Sequence, residues 1–224
     1  MTLIQKLPTA SIRDDVNEAE LCAWFIEPFL SGLFDDPDQS YYLRLTNART
    51  LEAKKKPADT TVKRPDLCIT KSLGRRWHHD NGFGKAKAAK MGENMYLVCK
   101  DLWRITIFCK DSLDSQNMQG IMGIQIVGRL ITFYVLILLA TGLYVMLGLT
   151  ELKIPDSLED LPKLVLDISK ILKVLDVFHR VCVPMSDLAL NNRRTTTTTN
   201  LSTSQLFTTS QDRNHDSSLK RQHN

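Results

Sequence analysis

No Cys-x-x-Cys pair, no internal repeat and no apolar N-terminal core is found in this chain. Its five cysteines, Cys22, Cys68, Cys99, Cys109 and Cys182, are odd in number and widely separated. That pattern gives neither a disulfide framework nor a zinc-ligand spacing, so a reducing intracellular compartment, cytoplasmic or nuclear, is expected. The opening MTLIQKLPTASIRDDV lacks the long apolar segment of a secretory signal, and its acids argue against a mitochondrial presequence. Asn200-Leu201-Ser202 fits a glycosylation sequon that would be silent without secretion. The net charge of +4 is too small to define a partner by itself.

What is present suffices for one domain of ordinary size: 224 residues, of which 43% are hydrophobic. Positive charge is concentrated locally, with 11 Lys or Arg against 4 Asp or Glu between Lys63 and Lys110. Such a surplus suits a phosphate backbone or an anionic surface.

From Asn17 to Phe34, the positions Cys22, Phe25, Ile26, Phe29 and Leu33 recur at helical spacing, with Asp14, Asp15 and Glu18 favouring the helix start. Pro28 is expected to kink or divide that helix. YYLRLTN, RPDLCI and GFGKAKAA read as strands, the last two separated by a polar loop, TKSLGRRWHHDN. Val98, Leu102, Ile105, Cys109 and Leu113 form one helical stripe, with Lys100, Arg104 and Asp111 towards water. After Pro155 a further helix carries Leu161, Leu164, Val165, Ile168, Ile171, Leu172, Leu175 and Phe178 on a broad apolar face; Ser157 or Asp160 would cap it, and Pro162 suits its first turn. Beyond Pro184, the threonine run and the scarcity of large apolar residues predict a disordered tail. The division is an N-terminal arm over 1–16, a domain over 17–183 and a tail over 184–224.

Residues 130–150 contain no charge until Glu151 follows them, and about 20 residues at ~1.5 Å each would cross a bilayer as a helix. The alternative is two buried strands, because β-branched and aromatic residues fill 131–137 and Ala140-Thr141-Gly142 supplies a turn. With the strand-like GIMGIQIVG before them, these segments would complete a sheet covered by the two later helices. The sheet is the favoured reading, and a single membrane span is the alternative.

The chemistry centres on Pro65-Asp66 and, nineteen residues after Asp66, Lys85-Ala86-Lys87. Metal-dependent nucleases commonly place an Asp on one strand and Glu-x-Lys on the next, two carboxylates holding Mg²⁺ while the lysine positions or polarises water. Here lysine stands where the second acid belongs. An ammonium offers no lone pair and repels a cation. On a strand Lys85 and Lys87 share a face, so Asp66 is expected to meet both.

The segments NEAELCAWFIEPFLSGLFDD, RPDLCIT, GFGKAKAA, LVCKDLWRITIFCKDSLD, GIQIVGRLITFYVL, GLYVM and KIPDSLEDLPKLVLDISKILKVLDVF together resemble an expanded set of uncharacterised proteins of zygomycete-type fungi. Those proteins look like members of the PD-(D/E)XK nuclease-like superfamily, and the likeness covers about residues 17–182. It implies an α/β fold, a mixed central sheet flanked by helices, with a restriction-endonuclease-like core. Carried over by position, Asp66 matches the metal-binding Asp, Lys87 the motif lysine, and Glu20, or alternatively Glu18, the helical acid; Lys85 replaces the second acid of the site. The resemblance then implies an inactive nuclease fold without a cofactor, retaining affinity for DNA or RNA through Arg75, Arg76, Lys85, Lys87 and Lys90. The alternative is an active Mg²⁺-dependent nuclease in which Asp80 or Glu93 supplies the displaced acid. His78 and His79 receive no role. Trp77 beside two arginines is a base-stacking candidate or partly packed surface.

Overall fold

The computed structural model describes residues 2–12, 16–55 and 64–185. Asp14 and Asp15, and the tail from 186 onward, lie outside the described residues. The first elements are α1 (Leu3–Lys6), α2 (Glu18–Leu21), a π-helical turn (Cys22–Ile26) and α3 (Glu27–Phe34). Pro28 divides the long helix as its position predicts. It has no N–H to donate to Trp24, and the Glu27 N–H instead reaches back to the Cys22 carbonyl, widening one turn into a π-bulge. The inward face of this layer buries Leu21, Phe25, Ile26, Phe29, Leu30 and Phe34.

The remaining elements are β1 (Tyr41–Leu45), α4 (Leu51–Lys55), β2 (Leu67–Leu73), β3 (Arg76–Lys87), α5 (Met95–Ser115), β4 (Gly120–Val127), β5 (Leu130–Ala140), β6 (Leu143–Lys153), α6 (Leu161–Leu166) and α7 (Ile168–Val181). The six strands form one mixed sheet in chain order, β1-β2-β3-β4-β5-β6. Neighbours are antiparallel except β3 and β4, which run parallel. A parallel pair needs a crossover, and α5 supplies it. One face of the sheet, through Leu67, Ile69, Ile124 and Phe133, packs on α3 and α7. The other, through Cys68, Phe83, Ile121 and Leu136, packs on the Ile105–Cys109–Leu113 stripe of α5. The expected α/β class with helices flanking a mixed sheet is therefore present.

The segment read as a polar loop, TKSLGRRWHHDN, is mostly strand: Lys71 pairs with His79, Ser72 with Trp77 and Leu73 with Arg76. The reason lies in the turn. Gly74 adopts φ +59°, as the first position of a primed two-residue turn requires, and this closes a hairpin whatever the polarity of its arms. Residues 130–150 form β5 and most of β6 rather than a membrane helix, with Gly142 at φ +74° in the turn. Among the described residues no helix is long and apolar enough to cross a membrane.

The last helix departs from its expected form. It breaks at Asp167 into α6 and α7, and Val165, Ile168 and Leu172 are 61%, 48% and 59% exposed. Of the expected face Phe178 is buried, joined by Val174, while Leu161, Leu164, Ile171 and Leu175 pack partly buried against the core. Asp160 takes the capping position without a capping hydrogen bond and pairs with Lys163 at 2.5 Å. The N-terminal segment lies against the domain: Leu3 and Leu7 join the core, and the Leu158 N–H donates to the Pro8 carbonyl at 2.9 Å. At the other end, the Met185 N–H donates to Asn117 O at 2.8 Å.

Candidate functional site

Asp66 stands at the entrance to β2, where its N–H donates to Gly84 O at 3.0 Å and its carbonyl accepts from the Thr46 N–H at 2.8 Å. Both carboxylate oxygens are engaged. Oδ1 takes the Lys85 ammonium at 2.5 Å, and Oδ2 accepts the Ala86 N–H at 2.8 Å. Lys85 Nζ also donates to Arg64 O at 3.2 Å. Side-chain exposure is 12% for Lys85 and 21% for Asp66, so water screens the pair only in part.

Lys87 does not share this contact. Its ammonium lies 3.2 Å from Asp101 Oδ2 on α5 and 4.0 Å from Glu18 Oε2 on α2. The expectation that Asp66 meets two ammonium groups is thus corrected: the Lys87 side chain, at the end of β3, turns to acids on the flanking helices. Asp101 is the acid that the sequence reading missed. It is 2% exposed and also takes Arg104 at 2.9 Å. Lys87 approaches Oδ2 outside hydrogen-bond alignment, leaving that buried oxygen with a counter-charge but no donor.

Glu20 is committed to a capping box. Its N–H donates to Asn17 Oδ1 at 3.0 Å, and its Oε2 accepts the Asn17 N–H at 3.1 Å. Glu18 is the helical acid facing the site. Cys22 sits beside it, its thiol pushed up to about 11 by burial first and then by the Asp66 and Glu18 carboxylates. Glu18, Cys22, Thr46 and Asp66 line an open groove of about 470 Å³.

The substitute acid Asp80 is not positioned at Asp66. Asp80 precedes Lys85 by five residues on β3, roughly 16 Å along a strand. There it accepts the Thr70 hydroxyl at 2.6 Å and the Leu51 N–H at 3.4 Å, and burial raises its pKa. Glu93 is exposed beyond the end of β3. Mg²⁺ requires several hard oxygen ligands in near-octahedral geometry. Of the two carboxylates in the groove, Asp66 has both oxygens engaged beside an ammonium and Glu18 has the Lys87 ammonium 4.0 Å away, which does not fit that requirement.

The cations of the expected nucleic-acid surface separate into two groups. Arg75 and Arg76 lie at the β2–β3 turn, and the nine residues from Arg76 to Lys85 span roughly 30 Å. Lys90 follows β3 and is exposed. Trp77 is 43% exposed with the Arg44 guanidinium 4.4 Å from its ring centroid and Tyr42 edge-on at 5.8 Å. It is therefore partly packed surface.

A second polar cluster stitches α4 and α5 to the β2–β3 hairpin. Glu52 and Asp80 are 4% and 1% exposed. Gln116 donates to Glu52, Ser112 Oγ donates to Asp80 O at 2.9 Å, and burial raises the Glu52 pKa. His79 is held down to about 4, chiefly by burial and then by His78 and Lys71. Its Nδ1 lies 2.6 Å from Nδ1 of His78.

Compared with protein-family models, curated proteins and solved structures, the chain matches none.

Proposed function

We propose that this chain is a nuclease-type protein with a restriction-endonuclease-like core, silent in catalysis, that binds DNA or RNA without cutting it. The observation that carries the reading is the 2.5 Å pair between Lys85 Nζ and Asp66 Oδ1. It puts a positive charge where a divalent ion would require a negative ligand, and it engages Oδ1 of the remaining carboxylate, whose Oδ2 takes the Ala86 N–H. The chain order supports the same reading: a helical layer, three antiparallel strands, a helix, then a strand parallel to the third, with Asp66 opening β2 and the Lys-x-Lys triplet closing β3.

Lys85 and Lys87 are neutralised by their acid partners, so backbone attraction in this reading falls to exposed Lys90 and Arg64, with Arg75 and Arg76 as a separate patch. The test is a salt titration of binding to labelled single-stranded DNA and RNA, with product analysis in Mg²⁺ and Mn²⁺. The logarithm of the association constant should fall linearly with log salt, at a slope of about −0.7 per phosphate neutralised, and no product should form. A chain that fails to bind at low salt, or that cleaves, contradicts the proposal.

A further inference from the structure

On the far side of α2 from the Asp66 groove lies a more enclosed cavity of about 240 Å³. Its apolar floor is Leu21 and Phe25, 3% and 5% exposed. Trp24, 45% exposed, forms a wall, and Lys90 and Arg129 stand at the rim. The π-bulge places Trp24 here. Widening the turn at Cys22–Ile26 shifts the register of the helix, and Phe25 and Ile26 stay in the core while Trp24 remains half in solvent.

The rim charges are resolved by their contacts. Arg129 is fixed by Ile154 O at 2.6 Å and Asp156 Oδ2 at 2.7 Å. Ser11 Oγ donates to the same Asp156 oxygen at 2.9 Å, so the one carboxylate lining the cavity among the described residues is already neutralised. Lys90 remains as the exposed cation among the described lining residues, three residues beyond Lys87, within about 10 Å even in a fully extended chain. An exposed indole, two buried apolar side chains and an exposed ammonium among the described residues lining one cavity match the two parts of a nucleotide: a flat ring to stack and a phosphate to neutralise.

We propose that this cavity seats a single unstacked nucleobase against Trp24, with the adjoining phosphate on Lys90. The inference rests on the nucleic-acid reading above and deepens it. Stacking gives a sequence-tolerant contact, because every base presents a π-face. It also supplies affinity that the neutralised Lys85 and Lys87 do not.

The test uses the full chain with Trp24→Ala, Trp24→Phe and Lys90→Glu variants, measuring anisotropy of a labelled single-stranded oligonucleotide and titration with AMP and UMP. Trp24→Ala should weaken oligonucleotide binding roughly 5- to 150-fold with little change in salt slope, and Trp24→Phe should retain most of the affinity. Lys90→Glu should weaken binding and reduce the slope by about one phosphate. Should Trp24→Ala fail to fold, AMP and UMP binding to the natural chain and its loss in the exposed Lys90→Glu variant still decide. Oligonucleotide binding indifferent to Trp24 and Lys90 overturns the cavity and leaves the nucleic-acid reading standing. Mononucleotide binding that needs Trp24, without oligonucleotide binding, keeps the cavity and removes the polymer. Binding of neither removes both.

Discussion

Lys87 on β3 and Asp101 on α5 form an ion pair at 3.2 Å, joining the third strand to the helix that crosses over to the fourth. The acid is the buried partner, with 3% of its side chain exposed against 22% for the lysine. Removing one partner of a buried pair strands the other charge. Asp101→Ala should cost about 3 kcal/mol, the lower end for such pairs because Lys87 can still reach water. Urea unfolding of Asp101→Ala, Lys87→Met and the double variant measures it, and the double variant should lose less than the sum of the single losses. Additive losses would show that the two residues do not act as a pair.

Gly84 owes its place to packing. A Cβ there would lie 2.7 Å from Leu67 Cγ and 2.9 Å from the Ile124 carbonyl, on the strands either side. The side chain of Leu67 has no exposed route of retreat, being fully buried. Gly84→Ala should therefore destabilise by about 1–3 kcal/mol. Thermal or urea unfolding checks this, and an unchanged midpoint would contradict the tight approach.

The pH dependence of stability has a signed contribution from His79. Burial holds its folded pKa at about 4 against an ordinary 6.5, so between those values the unfolded chain binds more protons than the native one. This contribution therefore rises with pH through that window and is lost as pH falls from 6.5 towards 4. Glu52 and Asp80, with pKa values raised by burial, act in the opposite sense, favouring the native state as pH falls towards the ordinary carboxylate values of 4.5 and 3.8. His79→Gln should flatten the rise of Tm between pH 4 and 6.5, leaving the carboxylate trend exposed. Parallel pH profiles for the two proteins would count against the assignment.

Much of the sheet was legible because β4, β5 and β6 carry β-branched and aromatic runs broken by Gly128 and Gly142, both at positive φ. The helix division at Pro28 was legible for the same local reason: one missing donor. Less visible were features set by partners distant in sequence. The polar arms of the β2–β3 hairpin looked like a loop because the groups that bury Asp80, Thr70 among them, are brought to it by pairing. Asp101 escaped notice because a search for apolar spacing skips acids, although it lies four residues before Ile105 on the buried side of α5. The pairing of Lys85 with Asp66 followed from strand alternation. The turning away of Lys87 depended on helices whose placement that alternation does not specify.

Lys85→Glu should make the Asp66 site responsive to metal. Two carboxylates side by side repel, so the variant should be less stable than the natural chain without a divalent ion. Mg²⁺ should then raise its Tm, by the equivalent of about 2.7 kcal/mol at 100 times the dissociation constant. The natural chain should show no such response in the same titration. A matching rise in both would place the ion elsewhere.

The most direct measurement is a Mg²⁺- and Mn²⁺-dependent DNA and RNA cleavage assay on the natural chain, Lys85→Glu and Lys85→Glu/Asp66→Ala. The expected result is no product from the natural chain, product from Lys85→Glu, and its loss when Asp66 is also removed. Cleavage by the natural chain would contradict the central claim that the Lys85–Asp66 pair closes the site.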